Sequence, residues 1–321
     1  MLPLRFLVWI VSSGMMIFGM GASSGQDYPT RPIRLVTTGV GGGSDMVARL
    51  IAQGISGPLG QQLIVENRSG SGLSVGEFVA KAPADGYTLL VFGQALWIGP
   101  LLQTAPYDPV KDFAPITTTD RSPSVVSVHP SLPVKTVKEL IALAKAKPKQ
   151  LNYASTAAGS AGHLAGELFK AMAGVDIVWV PYKSMSAAVT DLISDQVQMM
   201  FTSPSPVAAH ITSGRLRALA VGTAQPSPLL PGLPTVAATG LPGYEATSIT
   251  AILAPAGTPA AIINRLNREI VRLVNTQDAK EKLFNTGAEA VGSSPQELAA
   301  DIKSDMAKYG KVIREAGIKA N

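Results

Sequence analysis

Gly39-Val40-Gly41-Gly42-Gly43-Ser44-Asp45 follows the apolar run Ile33-Arg34-Leu35-Val36-Thr37-Thr38. A strand that empties into a loop without side chains, just ahead of a helix, can offer several backbone N–H groups to one anion, because nothing blocks the approach. The candidate donors are Gly39, Val40, Gly41 and Gly42, with the hydroxyl of Ser44 beside them. Asn152-Tyr153-Ala154-Ser155-Thr156-Ala157-Ala158-Gly159-Ser160 has the same character. Ser155, Thr156 and Ser160 of one such loop alone would be explained by helix capping. Two of these loops, in different halves of a protein, could face each other across a cleft and hold the two ends of a small dianion.

Other chemistries fit less well. Gly39-x-Gly41-x-x-Ser44 approaches a dinucleotide fingerprint, with Glu66 where a ribose-binding acid would stand, but the third glycine is missing. Gly72-Leu73-Ser74-Val75-Gly76 matches the nucleophile-elbow pattern, which would make the chain a secreted serine hydrolase using Ser74. An elbow needs a strand running directly into the serine, and Glu66 to Ser71 intervene after Val65. The histidines, His129, His163 and His210, show no pairing by spacing and read as capping or surface groups. No metal-ligand spacing is present, cysteine is absent, and no cofactor is expected. The densest basic cluster, Lys145, Lys147 and Lys149, reads as a solvated helix end, so no nucleic-acid partner is expected.

These loops need elements to hold them. Val47, Leu50, Ile51 and Ile55 recur at helical spacing behind the first loop, with Ser44 and Asp45 as capping residues. Strand and helix signals then alternate to Leu253. Strands are expected at 63–65, 87–92, 125–128, 151–154, 177–180, 197–201, 216–221 and 248–253. Helices are expected near 74–81, from the capping box at Thr136-Val137-Lys138-Glu139 to Pro148, at 161–173, at 186–195 and up to Ser213. Residues 225–245, rich in proline and glycine, read as a surface crossover. Two helices close the chain, opened at Thr258-Pro259 and Ser294-Pro295. Such alternation implies an α/β fold, and the chain is long enough to divide its core in two.

The first 25 residues have one charge, Arg5, then an apolar run from Phe6 to Met20 and a small-residue exit. That is the layout of a cleavable secretory signal, and the run is short for a membrane anchor. Its removal leaves 26 basic and 22 acidic side chains, a net +4.

Across essentially the whole mature chain, the sequence resembles the Bug-type periplasmic solute receptors of tripartite tricarboxylate transport systems. The resemblance is carried in order by Thr30-Arg31-Pro32-Ile33-Arg34-Leu35-Val36, Gly41-Gly42-Gly43-Ser44-Asp45-Met46-Val47-Ala48-Arg49, Val65-Glu66-Asn67-Arg68 and Pro83-Ala84-Asp85-Gly86-Tyr87-Thr88-Leu89-Leu90. Tyr107-Asp108-Pro109-Val110-Lys111-Asp112-Phe113, Val180-Pro181-Tyr182-Lys183, Leu216-Arg217-Ala218-Leu219-Ala220-Val221 and Leu253-Ala254-Pro255-Ala256-Gly257-Thr258-Pro259 continue it. It implies a two-lobed, type II Venus-flytrap fold with two mixed, mostly parallel sheets flanked by helices. The expected lobes are 26–126 with 247–321, and 127–246. It further implies a soluble, monomeric periplasmic receptor, not an enzyme. Such a receptor grips a small carboxylate by main-chain groups, often through ordered water, and delivers it to membrane transporter subunits.

Departures from the family pattern bear on the ligand. Relatives often carry Phe-Asp-Asn where this chain has Phe201-Thr202-Ser203, so a partner for a ligand amino group is lost and an amino acid is disfavoured. Thr202, Ser203 and Lys183 remain expected ligand contacts. After Phe92, Gln94-Ala95-Leu96-Trp97-Ile98 brings bulk where relatives have small or hydroxyl residues. Gln94 and Trp97 are therefore candidate contacts for an aromatic acid, beside di- and tricarboxylates, although Trp97 could equally pack beneath the cleft.

Overall fold

In this computed structural model the described residues are 28–41, 43–68, 72–156 and 158–318. The signal-like segment 1–25 and Gly42 lie outside them. The first strand, β1 (Ile33–Thr37), is buried on both faces, as expected of an apolar run in a sheet covered by helices. It lies between two parallel neighbours, β2 (Leu63–Asn67) and β3 (Thr88–Gly93), and is joined to them through α1 (Gly43–Leu59) and α2 (Gly72–Ala80). The inner stripe of α1 is Val47, Ala48, Ile51, Ile55 and Leu59, with Asp45 buried at its start. A short helix, α3 (Ala95–Leu102), and the long β4 (Phe113–Pro123) follow.

Ser124 alone separates β4 from β5 (Val125–Val128), and there the chain passes into a second sheet. In that half α4 (Val137–Ala146), β6 (Asn152–Ser155), α5 (Ala161–Ala173) and β7 (Val178–Pro181) alternate. They are followed by α6 (Met185–Ile193), β8 (Met199–Thr202), α7 (Ala208–Thr212) and β9 (Arg217–Val221). The chain returns to the first sheet as β10 (Thr247–Pro255) and continues through α8 (Ala260–Val274) and α9 (Gln277–Asn285). The short β11 (Glu289–Ala290) and the long α10 (Pro295–Ala316) complete it.

The first sheet has the order β11-β4-β10-β3-β1-β2 and the second β7-β6-β8-β5-β9. In the first, β2, β1, β3 and β4 run together against β10 and β11. In the second, β7, β6, β8 and β9 run together against β5. The sheets are thus mixed, with most strands of each pointing one way but more antiparallel than parallel pairings, and the reversed strands β5 and β10 are the ones that carry the chain across. The crossings are tied to each other by backbone. Ser124 N–H donates to Ala246 O (3.1 Å), Gly222 N–H to Ser124 O (2.7 Å) and Ala246 N–H to Gly222 O (2.8 Å). A Cβ on Gly222 would stand 2.7 Å from the Ala246 carbonyl oxygen, so only glycine permits this approach.

One apolar cluster joins both halves, from Leu90 and Leu253 through Leu298, Tyr309 and Ile313 of α10 to Tyr153, Phe169 and Phe201. The capping boxes expected at Thr136/Glu139 and Ser294/Glu297 are both formed. At Thr258-Pro259 the structure differs: Pro259 is the N-cap, while the Thr258 hydroxyl donates to Pro255 O (2.7 Å). Four elements were not expected from the sequence: α3, β4, α9 and β11.

Candidate functional site

The second loop builds one side of the site. β6 ends at Ser155, and Ser160 caps α5 by accepting the His163 N–H (3.3 Å). Gly162 brings the first turn of α5 directly onto β8, since a Cβ there would lie 2.4 Å from Phe201 O. His163 Nδ1 accepts the Gly159 N–H (2.9 Å) and its ring stacks on Trp179 (4.0 Å between centroids). Burial lowers the His163 pKa, and an accepting Nδ1 requires the neutral ring. The Trp179 indole in turn donates to Ser155 Oγ (2.8 Å). His163 of α5 and Trp179 of β7 thus tie Gly159 and Ser155 to one another.

In the first turn of α5, the N–H groups of Ala161 and Gly162 have no intrahelical acceptor, and they sit at the positive end of the helix dipole. These two residues border a cavity of about 190 Å³ together with Thr156, Ser160, Thr202, Ser203, Ser124 and Tyr309. Ser124 Oγ is buried there without a hydrogen-bond partner among the described residues. The cavity draws its walls from both sheets, at the point where the chain crosses between them.

A larger cavity of about 910 Å³ adjoins it through the shared residues Ser203 and Ser248. It is lined by Gly43, Met46 and Arg49 of α1, Asp120 and Ser122 of β4, Thr250 of β10 and Lys282 and Thr286 near α9. Asp120 is 6% exposed; Thr119 Oγ1 donates to its Oδ2 (2.9 Å) and Thr250 Oγ1 to its Oδ1 (3.2 Å). Burial pushes its pKa up to about 6, held back by those two hydroxyls.

The structure brings Thr156, Ser160, Thr202 and Ser203 together on the smaller cavity. Gly42 lies outside the described residues, and the structure does not place the remaining expected contacts on either cavity's wall. Gly39, Val40 and Gly41 form the turn before α1, but the Gly41 N–H is already given to Asp45 Oδ2 (2.9 Å). Asp45 also accepts from Asn67 Nδ2 (2.8 Å) and pairs with Arg49 (3.0 Å). The anion at this helix start is thus the protein's own. Ser44 lies inside the first turn of α1 and Val40 is 77% exposed. Ser155 is occupied by Trp179, and Lys183 is exposed just after β7. Trp97 is fully buried, its indole N–H reaching Asp305 (3.3 Å). Gln94 is buried at the end of β3, with Oε1 unpartnered among the described residues.

The competing motifs are absorbed by structure. Glu66, the candidate ribose acid, is held by Arg68 (2.6 Å) and Arg34 (3.4 Å). Ser74 lies inside α2 rather than on a strand-to-helix elbow, in a surface groove with Arg34, Glu77 and Lys81. Among the described residues no group of three or more acids and histidines could hold a metal ion, and no helix is long and apolar enough to cross a membrane. The residues missed from the sequence include Ala161, Gly162 and Tyr309 as well as Ser124, Asp120, Ser248 and Thr250. The alternation of hydroxyls in Thr247-Ser248-Ile249-Thr250 was the one available signal, a strand with a polar face.

Two mixed α/β sheets, joined by paired crossings with adjoining cavities between them, define a two-lobed binding-protein fold. The chain matches the family described as "Tripartite tricarboxylate transporter family receptor" over residues 47–318, and it belongs to that family of solute receptors. It is 36% identical over 301 residues to the protein BugT of Bordetella pertussis, covering 92% of each chain. Among solved structures it is similar to Rpa4515 of R. palustris with adipate, at 40% identity and a TM-score of 0.76, over 91% of this chain and 99% of that one. It is also similar to MatC of Rhodopseudomonas palustris with bound malate, at 27% identity and a TM-score of 0.72, over 89% of this chain and all of that one.

Proposed function

We propose that this chain binds a small carboxylate between its lobes, 26–126 with 247–321 and 127–246, and hands it to the membrane subunits of a tripartite transporter. On this reading residues 1–25 are the secretory signal and the mature receptor acts in the periplasm as a monomer. The observation that carries it is the smaller cavity. There the first-turn N–H groups of α5, the Ser160 and Thr156 hydroxyls and the unpartnered Ser124 Oγ converge from both sides of the crossing. A carboxylate, which accepts about four hydrogen bonds, can take most of these donors and sits favourably at the helix N-terminus. The adipate and malate bound in two similar structures support the same class of ligand. Contacts from both lobes favour a closed form, which gives the transporter a shape by which to recognise a loaded receptor.

A thermal-shift screen over mono-, di- and tricarboxylates and aromatic acids tests the reading. A true ligand at one hundred times its dissociation constant stabilises the protein by ~2.7 kcal/mol. Ser124→Ala, which removes one hydroxyl from the site, should weaken that ligand by about 1 kcal/mol. If every acid leaves the unfolding temperature unchanged, the receptor assignment fails.

A further inference from the structure

Tyr309 lies on the wall of the smaller cavity and comes from α10, a helix that packs on α3 and β4 in the first half and on α5 in the second. It is 2% exposed, yet its hydroxyl makes no hydrogen bond among the described residues. The polar groups nearest it on α10 are engaged elsewhere. Asp305, one turn earlier, accepts from Trp97 Nε1 (3.3 Å) and pairs with Lys308 (3.4 Å), whose Nζ also donates to Glu245 O (3.2 Å). Tyr244 of the same apolar cluster is the contrast, since its hydroxyl donates to Ala165 O of α5 (3.0 Å). A phenol is enclosed at low cost only when its O–H finds an acceptor, so an idle one on a cavity wall points to an acceptor that arrives with the ligand. Burial and the nearby charges of Asp305 and Glu245 push the Tyr309 pKa up, which keeps the O–H protonated and able to donate.

We propose that the Tyr309 hydroxyl donates to the ligand carboxylate and is the link through which the C-terminal helix takes part in binding. The inference rests on the carboxylate-receptor reading and adds to it a donor from a different element. Among the described residues no charged side chain lines the smaller cavity, so neutral donors must hold the anion there. A carboxylate accepts about four hydrogen bonds. The first-turn N–H groups of Ala161 and Gly162 supply two from α5, Ser124 Oγ supplies one at the crossing, and Tyr309 supplies one from α10. The bound anion thereby couples α10, packed on β4 of the first sheet, to α5 of the second half.

Calorimetry with adipate and malate, and with the acid that gives the largest thermal shift in the screen, tests this on Tyr309→Phe and Tyr244→Phe. Tyr309→Phe should weaken binding of every acid that the wild type takes, roughly tenfold or more. Its thermal midpoint without acid should equal or exceed that of the wild type, because no bond is lost from the empty protein. Tyr244→Phe gives up a bond already made and should lower that midpoint. Adding acid to the wild type should also shift the tyrosine ultraviolet absorption, through hydrogen bonding of the phenol, and most of that shift should be lost in Tyr309→Phe. A Tyr309→Phe variant with unchanged affinity overturns the inference and leaves the receptor reading intact. So does one that is destabilised or unfolded without acid, which would place the hydroxyl in a structural bond. Failure of every acid on the wild type overturns both.

Discussion

Gly162→Val is expected to abolish carboxylate binding and to cost about 3 kcal/mol of stability, the upper part of the range for overpacking a close-packed interior. The clash falls on backbone, since a Cβ at Gly162 would stand 2.4 Å from the Phe201 carbonyl oxygen, and no rotamer relieves it. Helix α5 must lift from β8, which separates Ser160 and Thr156 from Thr202 and Ser203 and dismantles the smaller cavity. Denaturant unfolding followed by circular dichroism reads the stability, and titration with the ligand found in the screen reads the binding. A valine variant with the wild-type midpoint and affinity would mean that α5 does not rest on β8 as described.

Asp45→Ala should lower stability by about 2 kcal/mol at neutral pH, because it strips a buried carboxylate from charged and neutral donors together. Burial alone would raise the Asp45 pKa. The donors from Arg49, the Gly41 N–H and Asn67 outweigh it and hold the carboxyl at about 2. The folded pKa therefore lies below the unfolded value of about 3.9. The contribution of Asp45 is fully present above pH 4 and disappears as pH falls towards 2, because the unfolded chain binds the proton more readily. The difference in stability between wild type and Asp45→Ala should accordingly shrink over that window. A constant difference from pH 7 to pH 2.5 would show that Asp45 contributes through packing rather than charge.

Much of the fold was legible because local signals and tertiary needs agree. The capping boxes at Thr136 and Ser294 and the stripe of α1 are written in neighbouring residues. What was illegible depends on distant partners. β4 carries the polar run Thr117-Thr118-Thr119-Asp120-Arg121-Ser122, yet it lies between β10 and β11. Two of its hydroxyls are satisfied from far along the chain, Thr117 Oγ1 donating to Ser293 O (2.8 Å) and Ser122 Oγ to Gly287 O (2.7 Å). Helix α3 is apolar nearly all round, since it is covered by α2 and α10, so it shows no amphipathic period. Trp97 is buried there for the same reason.

The candidate site divides in the same way. The loop at 152–160 was readable because strand, hydroxyls and cap follow one another in sequence, and the structure sets Thr156 and Ser160 on a cavity. The glycine loop at 39–43 has the same composition, but Asp45 fills part of the role an outside anion would take. A sequence shows which donors a loop can offer, and only the folded chain shows which have already been given away. Asp120 and Ser124 could not be singled out beforehand, because they reach the cavities through strand pairing with residues more than a hundred positions away.

The central claim is that a ligand carboxylate is held at the first turn of α5, between the two lobes. A crystal structure of the protein with the tightest acid from the screen tests it most directly. The account predicts one carboxylate group within hydrogen-bond distance of the Ala161 or Gly162 N–H and of Ser124 Oγ, with the remainder of the ligand extending towards Ser248 and Asp120. An acid bound instead at the outer groove lined by His210 and Arg215, with the space at α5 filled only by water, would contradict it.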